Sequence, residues 1–158
     1  MTSDTTVIIR TYQPDDQRAV LDLNAYGLAA AGVPADVDVY KGDLEDVAAT
    51  YLTGRSTLLV VVLAGAVIAM GALQEVDAMT CEITRMRVAP EHQGHGHGKA
   101  VLHALESQAR RFGFRYAVLL TGPDQHPAVD LYRAAGYVTT AFERHGALTG
   151  VRMRKQLD

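Results

Sequence analysis

Seven residues, Gln93-Gly94-His95-Gly96-His97-Gly98-Lys99, join an apolar run ending at Val88 to a helical stretch starting near Lys99. Alternating glycines let the backbone bend sharply and bring its N–H groups up to a ligand with no Cβ atoms in the way. The helix beyond adds unpaired N–H donors and the positive end of its dipole, and both favour phosphate. A strand, a glycine loop and a helix N-terminus in that order predict a diphosphate cradle. The arrangement requires a strand that hands over directly to a helix.

Two familiar cradles fail letter by letter. The dinucleotide pattern G-x-G-x-x-G meets Lys99 when started at Gly94 and Val101 when started at Gly96. No acid stands some twenty positions on to hold a ribose, where the chain reads Tyr116-Ala117-Val118-Leu119. The P-loop needs Gly at position 93 and Ser or Thr at position 100, and the chain has Gln93 and Ala100. The pattern that does fit is Q-x-x-G-x-G/A, from Gln93 through Gly96 to Gly98.

The 158 residues suit one domain with a sizeable core, and 48% hydrophobic with 21% charged residues is ordinary for a soluble globular chain. Apolar runs are too short to span a bilayer, since the longest is broken by Gly65 and Gly71. The polar start around Asp4 lacks the basic and apolar blocks of a signal peptide. The one cysteine, Cys81, reads as a buried strand residue and suits a reducing compartment, so a cytoplasmic protein is expected. Residues 1–50 carry a net charge of −6 and residues 51–158 a net of +3. Without a concentrated basic stripe, nucleic acid is not expected as the partner.

Along the chain, residues 6–10 read as an opening strand, and Pro14 starts a helix carrying Val20, Leu21, Leu23 and Leu28. Gly32-Val33-Pro34 ends that helix, and Asp43 is expected to cap a short helix through Val47 and Leu52, with Asp46 in its first turn. Runs 58–63, 67–73 and 79–89 predict an antiparallel meander whose first turn is Ala64-Gly65-Ala66. Val101, Leu102, Leu105, Ala109 and Phe112 recur at helical spacing after the glycine loop, ending at Gly113. A strand at 116–121, a helix from Pro127 to Gly136, and strands at 137–143 and 147–154 complete an α+β pattern.

Three blocks fall in register across residues 82–138. They are Arg85-Met86-Arg87-Val88-Ala89-Pro90, then Gln93-x-x-Gly96-x-Gly98, then Ala128-x-x-Leu131-Tyr132-x-x-x-Gly136-Tyr137. In order and spacing they resemble the signature of the GNAT superfamily of acetyl-CoA-dependent N-acetyltransferases. The resemblance implies a single domain over residues 1–158, α+β, with a mixed, mostly antiparallel sheet of about six to seven strands and about four helices.

Acetyl transfer needs a neutral amine, yet a free alkylamine has a pKa near ~10. A base must take its proton, directly or through water. A backbone N–H can hold the oxyanion that forms, and a weak acid can protonate the departing thiolate. By resemblance, Met86, Arg87 and Val88 hold the pantetheine arm, with a bulge aiming an N–H at the thioester carbonyl. The amides of Gly94, His95, Gly96, His97, Gly98 and Lys99 take the pyrophosphate, with Gln93 opening the loop. Ala128 and Gln125, at the second helix, complete the cofactor contacts; the family often has Asn where Gln125 stands. Tyr132 matches the usual proton donor, and also lies on an apolar stripe with Ala128 and Leu131, where it packs.

For the base, Glu82 stands where the histone-acetyltransferase branch places its glutamate. Glu75 and a water relay are the alternatives. Strand alternation puts Glu82, Thr84, Met86 and Val88 on one face and Arg85 with Arg87 on the other. Arg85 and Arg87 suit a buried ion pair or a coenzyme contact better than a substrate carboxylate. His92, His95 and His97 lack a carboxylate or cysteine to complete a ligand set, so no metal is expected.

The resemblance places the acceptor, a small-molecule or peptide amine, against residues 24–45 and 139–150. Asp36, Asp38 and Asp43 there suit a cationic amine. Pairing into homodimers is frequent among relatives. Two other functions remain open at this point: an acyl-CoA-binding sensor without turnover, and a nucleotide-binding module.

Overall fold

The computed structural model describes residues 6–33, 40, 42–122, 126–146 and 148–158. Its centre is a sheet of seven strands, β1 (Val7–Thr11), β2 (Thr57–Leu63), β3 (Ala66–Glu75), β4 (Thr80–Val88), β5 (Tyr116–Thr121), β6 (Val138–His145) and β7 (Leu148–Gln156). Their spatial order is β1-β2-β3-β4-β5-β7-β6. Among the described residues four α-helices accompany them: α1 (Gln17–Ala30), α2 (Val47–Tyr51), α3 (His97–Arg111) and α4 (His126–Ala134). The expected α+β fold with a mixed, mostly antiparallel sheet is what forms.

Local chemistry explains the connections. β2 and β3 meet at Ala64-Gly65, whose φ angles of 50° and 81° give the paired left-handed turn that matches the strands' twist. Parallel strands need a longer crossover, and α3 supplies it between β4 and β5. Apolar residues on the two sheet faces form two cores. One lies under α3 and α4 and includes Leu73, Ile83, Leu102, Leu105 and Leu119. The other lies under α1 and α2 and includes Val20, Leu23, Tyr51, Val60 and Met70. Cys81 is fully buried, as a strand residue.

Two expectations are corrected. Asp43 does not cap α2: Gly42 occupies the cap position of a 3-10 turn at Asp43–Asp46, and the Asp46 carboxylate accepts from the Ala49 N–H at 3.1 Å. Asp43 is drawn instead toward buried donors, described below. Nor do Glu82, Thr84, Met86 and Val88 share a face. Between the pairs Ala72↔Thr84 and Met70↔Arg87, β4 carries one residue more than β3, so the alternation slips. Glu82 therefore bonds Tyr40 on one side of the sheet, while Met86 packs with the α3-side core on the other.

Gly71 lies opposite this bulge, where a Cβ would come within 2.6 Å of Met86 Sδ and of Val101 Cγ1 and 2.8 Å of Leu105 Cδ1. Gly71→Ala is expected to lower stability by about 1–3 kcal/mol through overpacking, read from the urea midpoint at unchanged slope.

Candidate active site

The glycine loop is held from behind. Gln93 Nε2 donates to the Val88 carbonyl at 3.3 Å, tying the loop to the end of β4. Gly94 and Gly96 take φ of 81° and 84°, left-handed values that cost glycine nothing. The first bond inside α3 runs from Ala100 N–H to the Gly96 carbonyl at 3.0 Å, so the amides of His97, Gly98 and Lys99 stand outside the helical ladder. The first turn of α3 holds no acidic side chain. Gly94, His95, Gly96 and Lys99 are exposed. These donors and the helix dipole make a site for an anion.

Beside the loop, the β4–β5 ladder runs only from Thr80↔Tyr116 to Ile83↔Leu119. Past that point β4 turns at its bulge and leads through Val88 toward the loop. At the meeting place, a Cβ on Gly98 would lie 3.5 Å from Leu131 Cδ2 and 3.7 Å from Val88 Cγ2, so α3, α4 and β4 converge there. Ala128 and Met86 pack at the margin of the same core.

Tyr132 follows Leu131 on α4 and is 6% exposed. Its ring meets Tyr137 edge-on at 5.9 Å. The Tyr137 hydroxyl donates to Glu106 at 2.9 Å, and Lys155 Nζ donates to the same buried carboxylate at 3.0 and 3.1 Å. Burial pushes the Tyr132 phenol up to about 12, against a smaller opposing pull from the Arg87 charge. Tyr132 is thus packed and keeps its proton at neutral pH. Burial likewise pushes the Cys81 thiol up to about 12, which leaves it inert.

The opposite face of β4 is polar. Glu82 accepts from the Tyr40 hydroxyl at 3.1 Å and from Arg152 Nη1 at 2.6 Å, and Arg152 also reaches Glu143 at 2.7 and 3.0 Å. Both carboxylates raise the Arg152 pKa, and burial beside Glu82 raises that of Tyr40. Arg85 is buried against Asp43 and Asn24. Arg87 donates to the Met86 carbonyl at 3.0 Å and to Asn24 at 3.3 Å. It crosses α1 at Gly27, where a Cβ would stand 2.2 Å from Arg87 Cδ.

Glu75 pairs with Arg55, which also holds the Phe112 carbonyl just past the far end of α3 from the loop. Gln125, Asp36 and Asp38 lie outside the described residues. His97 sits 6.3 Å from the His92 ring and 6.4 Å from the His95 ring, and its pKa is lowered by burial and then by those neighbours. Among the described residues no three His, Cys, Asp or Glu side chains are grouped to hold a metal. Arg152, Glu143, Tyr40 and Asn24 were not singled out by sequence, and the strand pairing that brings Arg152 to Glu82 has no local signal.

The sequence matches the acetyltransferase (GNAT) family over residues 32–137. It is 29% identical over 105 residues to N-acetyltransferase family 8 member 2 of Rattus norvegicus, covering 63% of this chain and 46% of that one. It is 31% identical over 110 residues to the IAA acetyltransferase of Azospirillum brasilense, covering 65% of this chain and 72% of the other. The chain therefore spans about half the length of the rat relative. The fold superposes on yncA from Salmonella typhimurium, solved with its cofactor acetyl-CoA, at a TM-score of 0.78 and 24% identity, covering 98% and 95% of the two chains.

A buried phenol with a raised pKa stabilises the fold fully below the ordinary tyrosine value of 10.0 and loses that contribution as pH climbs toward about 12. Tyr132→Phe is therefore expected to lose less stability than the parent chain between about pH 10 and about pH 12, measured by urea unfolding.

Proposed function

The chain belongs to the acetyltransferase (GNAT) family, and on that basis we propose that it moves the acetyl group of acetyl-CoA to a primary amine of a small molecule or peptide. Both substrates are held together and the amine attacks directly. The reading is carried by the convergence of Val88, Gly98 and Leu131, the residue that precedes Tyr132 on α4. It sets an anion cradle, a strand end that has left its β5 partner and a buried phenol close together.

The residues present fit the coenzyme. The amides of His97, Gly98 and Lys99, with the turn at Gly94–Gly96, suit its pyrophosphate. β4 from Met86 to Val88 suits the pantetheine arm, which can pair with a strand edge as another strand would. The amine nitrogen bonds to the carbonyl carbon as the carbon–sulfur bond breaks, and a β4 amide after the bulge stabilises the oxygen. Tyr132 donates its proton to the departing sulfur, and water returns one to the phenolate. Glu82 receives the amine's proton, directly or through water, from its place between Tyr40 and Arg152. Glu75, paired with Arg55, is off that path.

Asp43 bonds to Arg85, and among the described residues the acceptor side then offers Glu82, Glu143, Arg152 and Arg87. Gln125 remains a proposed contact to the coenzyme. The IAA acetyltransferase similarity adds small acceptors to the classes worth screening.

Release of free thiol from acetyl-CoA on addition of an amine tests the reaction, and uptake of CoA without release with any amine would favour the sensor reading. Tyr132→Phe is expected to lower kcat by about a hundredfold with KM for acetyl-CoA little changed. Unchanged turnover would remove Tyr132 as the donor. Gly98→Ala, which has room for its methyl, is expected to keep CoA affinity within about twofold, whereas Gly96→Ala, forced to a left-handed φ, is expected to weaken it about fivefold or more by calorimetry.

A further inference from the structure

Arg85 stands where a β-bulge ordinarily puts glycine. Between Ala72↔Thr84 and Met70↔Arg87, the two β4 residues Arg85 and Met86 oppose the single Gly71. Arg85 has a φ of 56°, the left-handed value that the first residue of such a bulge takes and that glycine supplies without strain. A residue with a Cβ persists there only when its surroundings over-determine it.

Those surroundings are specific. The Arg85 side chain is 1% exposed. Its Nε donates to Asp43 Oδ2 at 2.9 Å and its Nη2 to Asp43 Oδ1 at 2.8 Å, the two-pronged fit of guanidinium to carboxylate. Its Nη1 donates to Asn24 Oδ1 at 2.9 Å. Asp43 in turn accepts from the Tyr51 hydroxyl and from the Leu44 N–H at 2.8 Å. The Tyr40 ring lies 5.4 Å from the guanidinium carbon. Helix α1, the 3-10 turn and α2 therefore all grip one side chain, and through it one backbone angle.

We propose that Arg85 is a positioning residue for acetyl transfer, with Asp43 as its clamp. By fixing the bulge, the pair aims the following β4 amides at the thioester carbonyl, while touching neither substrate. A glycine takes the same angle unaided, whereas an arginine takes it only because the clamp holds it there. The inference rests on the transferase reading above and adds the group that sets the geometry of that amide.

Calorimetry with acetyl-CoA and with CoA separates the two, because the ligands differ only in the acetyl group. The parent chain is expected to prefer acetyl-CoA. In Asp43→Asn that preference should vanish with CoA affinity held within about twofold, and kcat should fall about ten- to a hundredfold, the scale of a small misplacement of a reacting group. In Asp43→Asn/Arg85→Gly, glycine takes the left-handed angle unaided, and preference and kcat should recover to within about threefold of the parent. Arg85→Lys, which keeps the charge but not the fork, should show the same losses in milder form and serves if Asp43→Asn does not fold. A folded Asp43→Asn or Arg85→Lys chain with intact preference and kcat would overturn the inference and leave the pair a purely structural contact. A double variant that folds without recovery would overturn it too. Failure of the parent to bind either ligand would instead strike the transferase reading itself.

Discussion

The parallel pairing of β4 with β5 lasts for four residue pairs, Thr80↔Tyr116 through Ile83↔Leu119, and the site is built on what happens when it stops. A central strand normally commits its polar groups to both neighbours. Here β4 keeps its antiparallel partner β3 through Val88 while its pairing to β5 ends near the middle of the strand. The bulge at Arg85 and Met86 falls directly after that point, and the glycine loop follows once the strand is finished. Ladder end, bulge and loop follow one another between residues 83 and 99, so a long, thin ligand can be met at each end by one stretch of chain.

The two faces of the sheet divide the work. Under α3 and α4 the packing is mostly apolar, and the buried Glu106 carboxylate is taken up by Tyr137 and Lys155. That bond fixes Tyr137, and Tyr137 in turn fixes the ring of Tyr132. Under α1 and α2 the polar side chains Arg85, Arg87, Asn24 and Asp43 reach in from several elements and form one network, while Glu82 is held by Tyr40 and Arg152. Breaking a buried ion pair of this sort by removing one partner costs about 3–5 kcal/mol, because the survivor is left charged and unmatched. A network made in this way is stiff, which is what the proposed role of the β4 amide requires.

Much of this was legible from the residues in order. The glycines at 94, 96 and 98, the helix stripe through Val101 and Leu105, and the β-branched runs of β2 and β3 each follow a local rule, and each formed where it was expected. The bulge was expected only from the family resemblance and not from the residues themselves: strict alternation assigns Met86 and Val88 to the face of Glu82, and the pairing with β3 reveals the extra residue. Asp43 illustrates the same limit: by local chemistry it is a helix cap, but a buried guanidinium from β4 outbids the helix end for its carboxylate. Arg152 reaches Glu82 across 70 positions of sequence, a contact that sheet order creates and no spacing announces.

Gly27 and Arg87 have a consequence of their own. The arginine's shaft fills the volume that any larger residue at 27 would need, so the two positions behave as a lock with one tooth. Across homologous chains, bulk at 27 and length at 87 should vary in opposition. The same guanidinium is the charge that tempers the Tyr132 phenol. A small residue on α1 thus makes room for a charge that acts on a hydroxyl of α4.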